Sequence, residues 1–457
     1  MICVRFLAFF VVLSTFGIAG CMGRNNNVEL VQPQPSEHEI STFQPPAEPL
    51  EAAEIVEPTG AITLRQALAL ATMHNPELRA FSWNVRAAEA RQLQASLLPN
   101  PELEVEVENF GGSDDLSGFD GAETTIQLSQ LIELGDKRSK RTRVASLEKQ
   151  LLGSDYEAKR LDVFAGVAKA FIEVLAAQQR CELTEELLQL SEELVTIVTK
   201  RVDAGKDSPL EKTKAALALS KINIQHQQAL KDLDFTRKQL ASTWAGSNPG
   251  FESVAGELDL LSPIPPIDRL MDLIEQNPDL ARWDLEIDKG NATLELEKAK
   301  ATPDITLNGG ARRLNETDAN AIVFGISIPL PISDRNQGDK QAAAYELNKA
   351  REEQRAGHLR IQTELAKAYQ TLSSAYMEAT ELDKNLLQGA ESLFEASKMG
   401  YSQGKLDYLN VLDAQRTLFE ARAQYIDALA SFHIARTDVE RLIAGPIDSV
   451  ILSKREE

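Results

Sequence analysis

The chain reads as a mainly helical protein with a small membrane β-barrel. Three observations predict that class: a period-two alternation of apolar residues in four short segments, helical segments far longer than a globular core requires, and an end-to-end internal duplication.

Residues 1–20 have a short basic start at Arg5, an apolar run over residues 6–16, and Ala19-Gly20 directly before Cys21. This describes a secretory signal, too short to remain as a membrane span. The small residues before Cys21 resemble a bacterial lipobox, in which the cysteine is acylated and becomes the new N-terminus. Met22 stands where aspartate usually retains lipoproteins at the inner membrane, so the resemblance implies the outer membrane. An ordinary signal peptide followed by a chance cysteine is the other reading. Residues 21–60, rich in Pro, Glu, Gln and Ser, bury too little apolar surface to fold and read as an extended, lipid-anchored tether. With Cys3 in the signal and Cys21 under lipid, only Cys181 remains, and no internal disulfide forms.

A formal net charge of -21 argues against nucleic acid and anionic membrane surfaces as partners. His38, His74, His226, His358 and His433 never fall at metal-ligand spacing. No catalytic Ser-His-Asp or Cys-His pattern, Walker motif or Gly-rich nucleotide loop occurs, so neither an enzyme nor a cofactor is expected.

The duplication shows first in Asn75-Pro76-Glu77-Leu78, which recurs as Asn277-Pro278-Asp279-Leu280. Pro101-Glu102-Leu103 recurs as Pro303-Asp304-Ile305 at the same offset of about 202. Later landmarks, Ala204-Gly205-Lys206 against Gln403-Gly404-Lys405 and Ala245-Gly246 against Ala444-Gly445, keep their order at about 199. A repeat of that length is a duplicated domain. The expected halves are residues 61–256 and 257–446, followed by a tail over 447–457.

Each half is expected to run helix, two strands, two longer helices. The first helix, residues 63–97, has Leu64, Ala67, Leu68 and Ala71 on one face and stops at Pro99-Asn100-Pro101. Then Leu103, Val105 and Val107 alternate with Glu102, Glu104, Glu106 and Glu108 in a strand with one apolar and one acidic face. Its return strand covers residues 124–129. The second pair covers 305–308 and 322–328, ended by Pro329 and Pro331. Strands of eight to ten residues cross a bilayer at a tilt. Long helices follow over residues 137–200 and 334–398, each with a shorter partner, and their buried faces are rich in Ala, Val and Leu, as at Val163, Val167, Ala170 and Val174. At 1.5 Å per residue, such rods reach roughly 90 Å.

Four strands cannot close a barrel, and an open edge in hydrocarbon leaves backbone groups unpaired at several kcal/mol each. Copies must supply the rest, and a homotrimer makes a 12-stranded barrel with an aqueous lumen. Leu103, Val105, Val107, Ile126, Leu128, Ile305, Leu307, Ile322, Phe324, Ile326 and Ile328 then face lipid, while Glu104, Glu106 and Glu108 face the lumen. A small soluble sheet with one acidic face is the alternative.

These residues resemble the TolC family of outer-membrane efflux channels over about residues 62–445. The carrying motifs are the helix ending Asn75-Pro76-Glu77-Leu78, then Leu98-Pro99-Asn100-Pro101-Glu102-Leu103, and Tyr401-Ser402-Gln403-Gly404 followed by Asp407-Tyr408-Leu409-Asn410-Val411-Leu412-Asp413-Ala414-Gln415. Within the family, the 119–125 and 132–138 segments and Ile328-Pro329-Leu330-Pro331 are most similar to the outer-membrane components of cobalt-zinc-cadmium type efflux systems.

The resemblance implies a trimeric barrel continued by a periplasmic α-barrel that docks an adaptor (membrane fusion) protein and a proton-driven inner-membrane pump. It places the closed constriction at Asn410 and Asp413, where three Asp413 carboxylates would raise one another's pKa and favour cations. It places adaptor contact at the helix tips, on Gly205, Lys206, Ser208, Gly404, Lys405 and Asp407; helix capping by Ser208 and Asp407 accounts for those two residues equally well. The function implied is a passive exit duct for heavy-metal cations in the outer membrane. Export of organic compounds by the same architecture, and a non-pore periplasmic coiled-coil scaffold, remain the alternatives.

Overall fold

The computed structural model describes residues 57–448. The signal segment 1–20, Cys21, nearly all of the 21–60 tether and the tail beyond residue 448 lie outside the described residues.

The order of elements follows the duplication. A short strand β1 (Gly60–Thr63) leads into α1 (Leu64–His74) and α2 (Pro76–Ser96). The hairpin β2 (Glu102–Glu108) and β3 (Glu123–Ile132) precedes α3 (Lys137–Asp203) and α4 (Pro209–Ser242). After β4 (Phe251–Ala255) and the short α5 (Ile267–Met271), the second half repeats the pattern: α6 (Pro278–Lys300), β5 (Ile305–Leu314), β6 (Ala319–Ser327), α7 (Gln337–Glu381), α8 (Gln388–Ser402) and α9 (Tyr408–Leu442).

The structure departs from the sequence expectation at several points. The first helix is two helices, because Pro76 cannot continue α1 and Asn75 turns to an extended ψ of 122°. The second long rod is interrupted by a π turn over Leu382–Leu387 between α7 and α8. The two strands β1 and β4 pair in parallel across the whole first half, a link too short and too distant to leave a periodic signal. Gly60, assigned to the tether, already belongs to that link. The third and fourth strands also run farther than expected, to Leu314 and from Ala319.

At 67 residues α3 is about 100 Å long. Its expected core positions Val163, Val167, Ala170 and Val174 are buried, as are Ala414, Leu418, Ala421, Ala428 and Leu429 of α9. The β1–β4 link packs over α3: Ile62, Phe251 and Trp244 are fully buried with Phe171 and Val254. The Gln178 carboxamide fixes β4 by accepting from Val254 N at 2.7 Å and donating to Val254 O at 3.2 Å.

The strongest trace of duplication is a pair of buried asparagines. Asn75 Oδ1 accepts from the Glu77 and Leu78 backbone N–H groups, capping α2, while its Nδ2 donates to Thr243 O at 2.8 Å just beyond α4. Asn277 repeats both functions, accepting from Asp279 N and donating to Leu442 O at 2.8 Å at the end of α9. Each joint therefore ties the start of α2 or α6 to the end of the last long helix of the same half. Asn277→Ala removes the cap and the bond to the part-buried Leu442 carbonyl, at an expected cost of about 1–2 kcal/mol. Circular dichroism should record a lower thermal midpoint; a midpoint equal to the parent's would show that the joint contributes nothing.

Candidate functional site

The four long strands form one antiparallel sheet in the order β2-β3-β5-β6. The β3–β5 pairing fuses the hairpins of the two halves, from Glu123 opposite Leu314 to Ile132 opposite Ile305. This contact needs Gly310, because a Cβ there would stand 2.2 Å from Ile126 O.

Register decides which side chains share a face. Leu103 lies opposite Leu128 and Val105 opposite Ile126. Ile126 continues through Ala311 to Ile322, and Leu128 through Gly309 to Phe324. The expected apolar residues of the strands thus share one face, with Ile328 just past the end of β6. That face is bare in the single chain: Ile322 is 92% exposed and Phe324 73%.

On the opposite face Glu104 pairs with Gln127, Glu106 with Thr125 and Glu108 with Glu123. Gln127 Nε2 donates to Glu104 Oε2 at 2.7 Å. Arg312, which sequence reasoning missed because the third strand was ended at residue 308, also projects here. Its Nε donates to Thr125 Oγ1 at 2.9 Å, and its guanidinium meets Glu123 at 2.9 Å and Glu108 at 3.5 Å. The signal was present, since Thr306, Asn308, Gly310 and Arg312 keep the period of two.

The other end of the rods carries the helix turns. Both reversals use a left-handed glycine, Gly205 at φ 71° and Gly404 at φ 75°. Ser208 caps α4 through Leu210 N, and Asp407 caps α9 through Asn410 N. Gly205, Lys206, Ser208, Gly404, Lys405 and Asp407 are all exposed. Asn410 is also exposed, and its carboxamide donates to Asp407. Asp413 lies on the exposed side of α9.

A clasp that the sequence did not announce joins the two turns. Arg201 grips Asp207 with two hydrogen bonds of 2.8 and 3.0 Å and donates to Tyr401 O at 3.2 Å. Its guanidinium stacks 4.5 Å from the Tyr401 ring centre. Tyr401, buried, donates from its hydroxyl to Asp207 at 2.8 Å. The Arg201 hydrogen bonds hold the Asp207 carboxyl below the usual aspartate range. Burial, then the bond to Asp207, push the Tyr401 hydroxyl up, so it stays a donor.

Among the described residues no group of three or more His, Cys, Asp or Glu gathers to hold a metal ion. No described helix is long and apolar enough to cross a membrane.

A family model described as outer membrane efflux protein matches residues 67–246 and 270–445. The cobalt-zinc-cadmium resistance protein CzcC of Cupriavidus metallidurans is 34% identical over 89% of this chain and 94% of its own length. The nickel-cobalt-cadmium resistance protein NccC of Alcaligenes xylosoxydans xylosoxydans is 26% identical over 73% of each chain. The solved fold of CusC, described for conformational changes that accompany folding and transmembrane channel formation, superposes with a TM-score of 0.68 at 17% identity, covering 84% of this chain and 92% of that one.

Tyr401→Phe keeps the ring and loses the hydroxyl bond, and is expected to destabilise the tip by about 1.5 kcal/mol. Hydrogen exchange should show lower protection at residues 199–210 and 399–410; unchanged protection would dismiss the clasp. Because the folded Asp207 pKa is depressed, its contribution is complete above the ordinary aspartate value of 3.8 and fades as pH falls through the lower folded value. Tip protection, corrected for intrinsic exchange, should therefore be flat from neutral pH down to about 5.

Proposed function

Since the chain belongs to the outer membrane efflux protein family, the TolC family that its motifs resemble, we propose that it is the outer-membrane channel subunit of a tripartite efflux system and passes heavy-metal cations. The observation that carries this reading is the two-faced sheet: four strands, apolar on one side and acidic on the other, with β2 and β6 unpaired along their outer edges. Lipid covers the apolar face, and the edges pair with those of two further copies, giving twelve strands around water.

The resistance proteins with which the chain shares sequence over most of its length favour metal cargo. The acidic face suits cations, since carboxylates lining a lumen attract them while the low-dielectric wall limits screening. Glu104, Glu106 and Glu108 line the path. Anchoring to the outer membrane through Cys21, and docking of an adaptor and an inner-membrane pump at the Gly205 and Gly404 turns, complete the assembly. Asn410 and Asp413 form the constriction. With an amide at 410, only Asp413 contributes a ring of charge.

Purified protein in planar bilayers is expected to give discrete, cation-selective conductance steps. Glu104→Lys, Glu106→Lys and Glu108→Lys together should shift the reversal potential toward anions. An unchanged potential would remove the lumen assignment, and the absence of steps would favour a scaffold. Asp413→Ala removes that ring of charge and should weaken the cation preference of the conductance, and a selectivity identical to the parent's would place the constriction elsewhere.

A further inference from the structure

Glu108 and Glu123 are direct cross-strand partners at the loop end of the sheet. Like charges in that position repel, and two carboxylates so placed are a natural pair of ligands for a divalent cation. The Arg312 guanidinium meets both of them, at 3.5 and 2.9 Å, and Thr125 Oγ1 accepts from its Nε to aim it. Thr125 is itself buried, which limits how far the guanidinium can swing away. Arg312 is the one basic residue on the acidic face of the four strands among the described residues. Nearer the helices, Glu102 lies opposite Ser129 and Glu104 opposite Gln127, and neither carboxylate forms an ion pair among the described residues.

We propose that Arg312 is a specificity-determining residue of the channel: its guanidinium is a tethered counter-cation that fills the Glu108–Glu123 pair and keeps exported divalent metal ions from being held at the outlet. This rests on the reading of the sheet as a channel wall, in which the loop end is the external mouth. Conduction requires attraction strong enough to admit an ion and weak enough to release it. An unfilled pair of carboxylates at the exit would trap the cargo, and a fixed positive charge between them prevents this at little cost to the cation preference set deeper by Glu102, Glu104 and Glu106.

The test is Zn2+ block of single channels from the loop side. Arg312→Gln is expected to lower the half-blocking Zn2+ concentration about tenfold, the effect of withdrawing one unit charge from beside a divalent ion. Arg312→Lys should behave as the parent, and E108Q combined with R312Q should lose the added block. Equal block in parent and Arg312→Gln would overturn the proposal. Zn2+ titration of detergent-solubilised protein asks the same question if the variant inserts poorly: tighter binding to Arg312→Gln supports it, and identical binding overturns it. A parent that gives no discrete steps removes the channel reading, and this inference with it. Normal steps without a difference in block remove this inference alone.

Discussion

Backbone hydrogen bonding in hydrocarbon is the constraint on which the rest of this architecture depends. A helix satisfies its own N–H and C=O groups wherever it lies, but a sheet does so only where another strand stands beside it. The four strands here pair internally in three places and leave the outer sides of β2 and β6 open. In water those edges would be an invitation to aggregate; in lipid they make the single chain an incomplete object. In the barrel proposed above, the strands therefore govern how many copies assemble, and that assembly governs how the long helices are arranged.

The rods answer a different requirement. Their buried faces are narrow and carry many small residues, so close helix packing rather than a broad core holds them. Such packing resists sliding poorly unless something fixes the ends. Asn75 and Asn277 do so by tying helix starts to helix ends, and the Arg201–Asp207–Tyr401 group does so at the turns. At the sheet junction, Asp304 accepts from Leu134 N and Lys137 Nζ, joining the second half to the first.

What could be read without coordinates was whatever repeats over a short distance. The alternation from Glu102 to Glu108 and the Pro99 and Pro329 breaks were plain because each depends on neighbouring residues. The β1–β4 pairing was not, since Ile62 and Val254 meet only after the chain has travelled up and down a bundle. Arg201, Asp207 and Tyr401 were passed over for the same reason: 194 residues separate the last two, and no local pattern links them. Asn75 and Asn277 lie between these cases. Their recurrence was visible, but the bond each makes to a distant carbonyl was not.

The π turn at Leu382–Leu387 has its own consequence. Inserting one residue into a helix advances everything beyond it by about 100° around the axis. α3 has no such insertion, so positions counted back from Gly205 and from Gly404 lose angular correspondence after a few turns. Two halves that began as copies thus present unlike sides to whatever stands next to them. In the trimer proposed above, the six helical units would therefore have only threefold equivalence, and the furrows between them would alternate in kind.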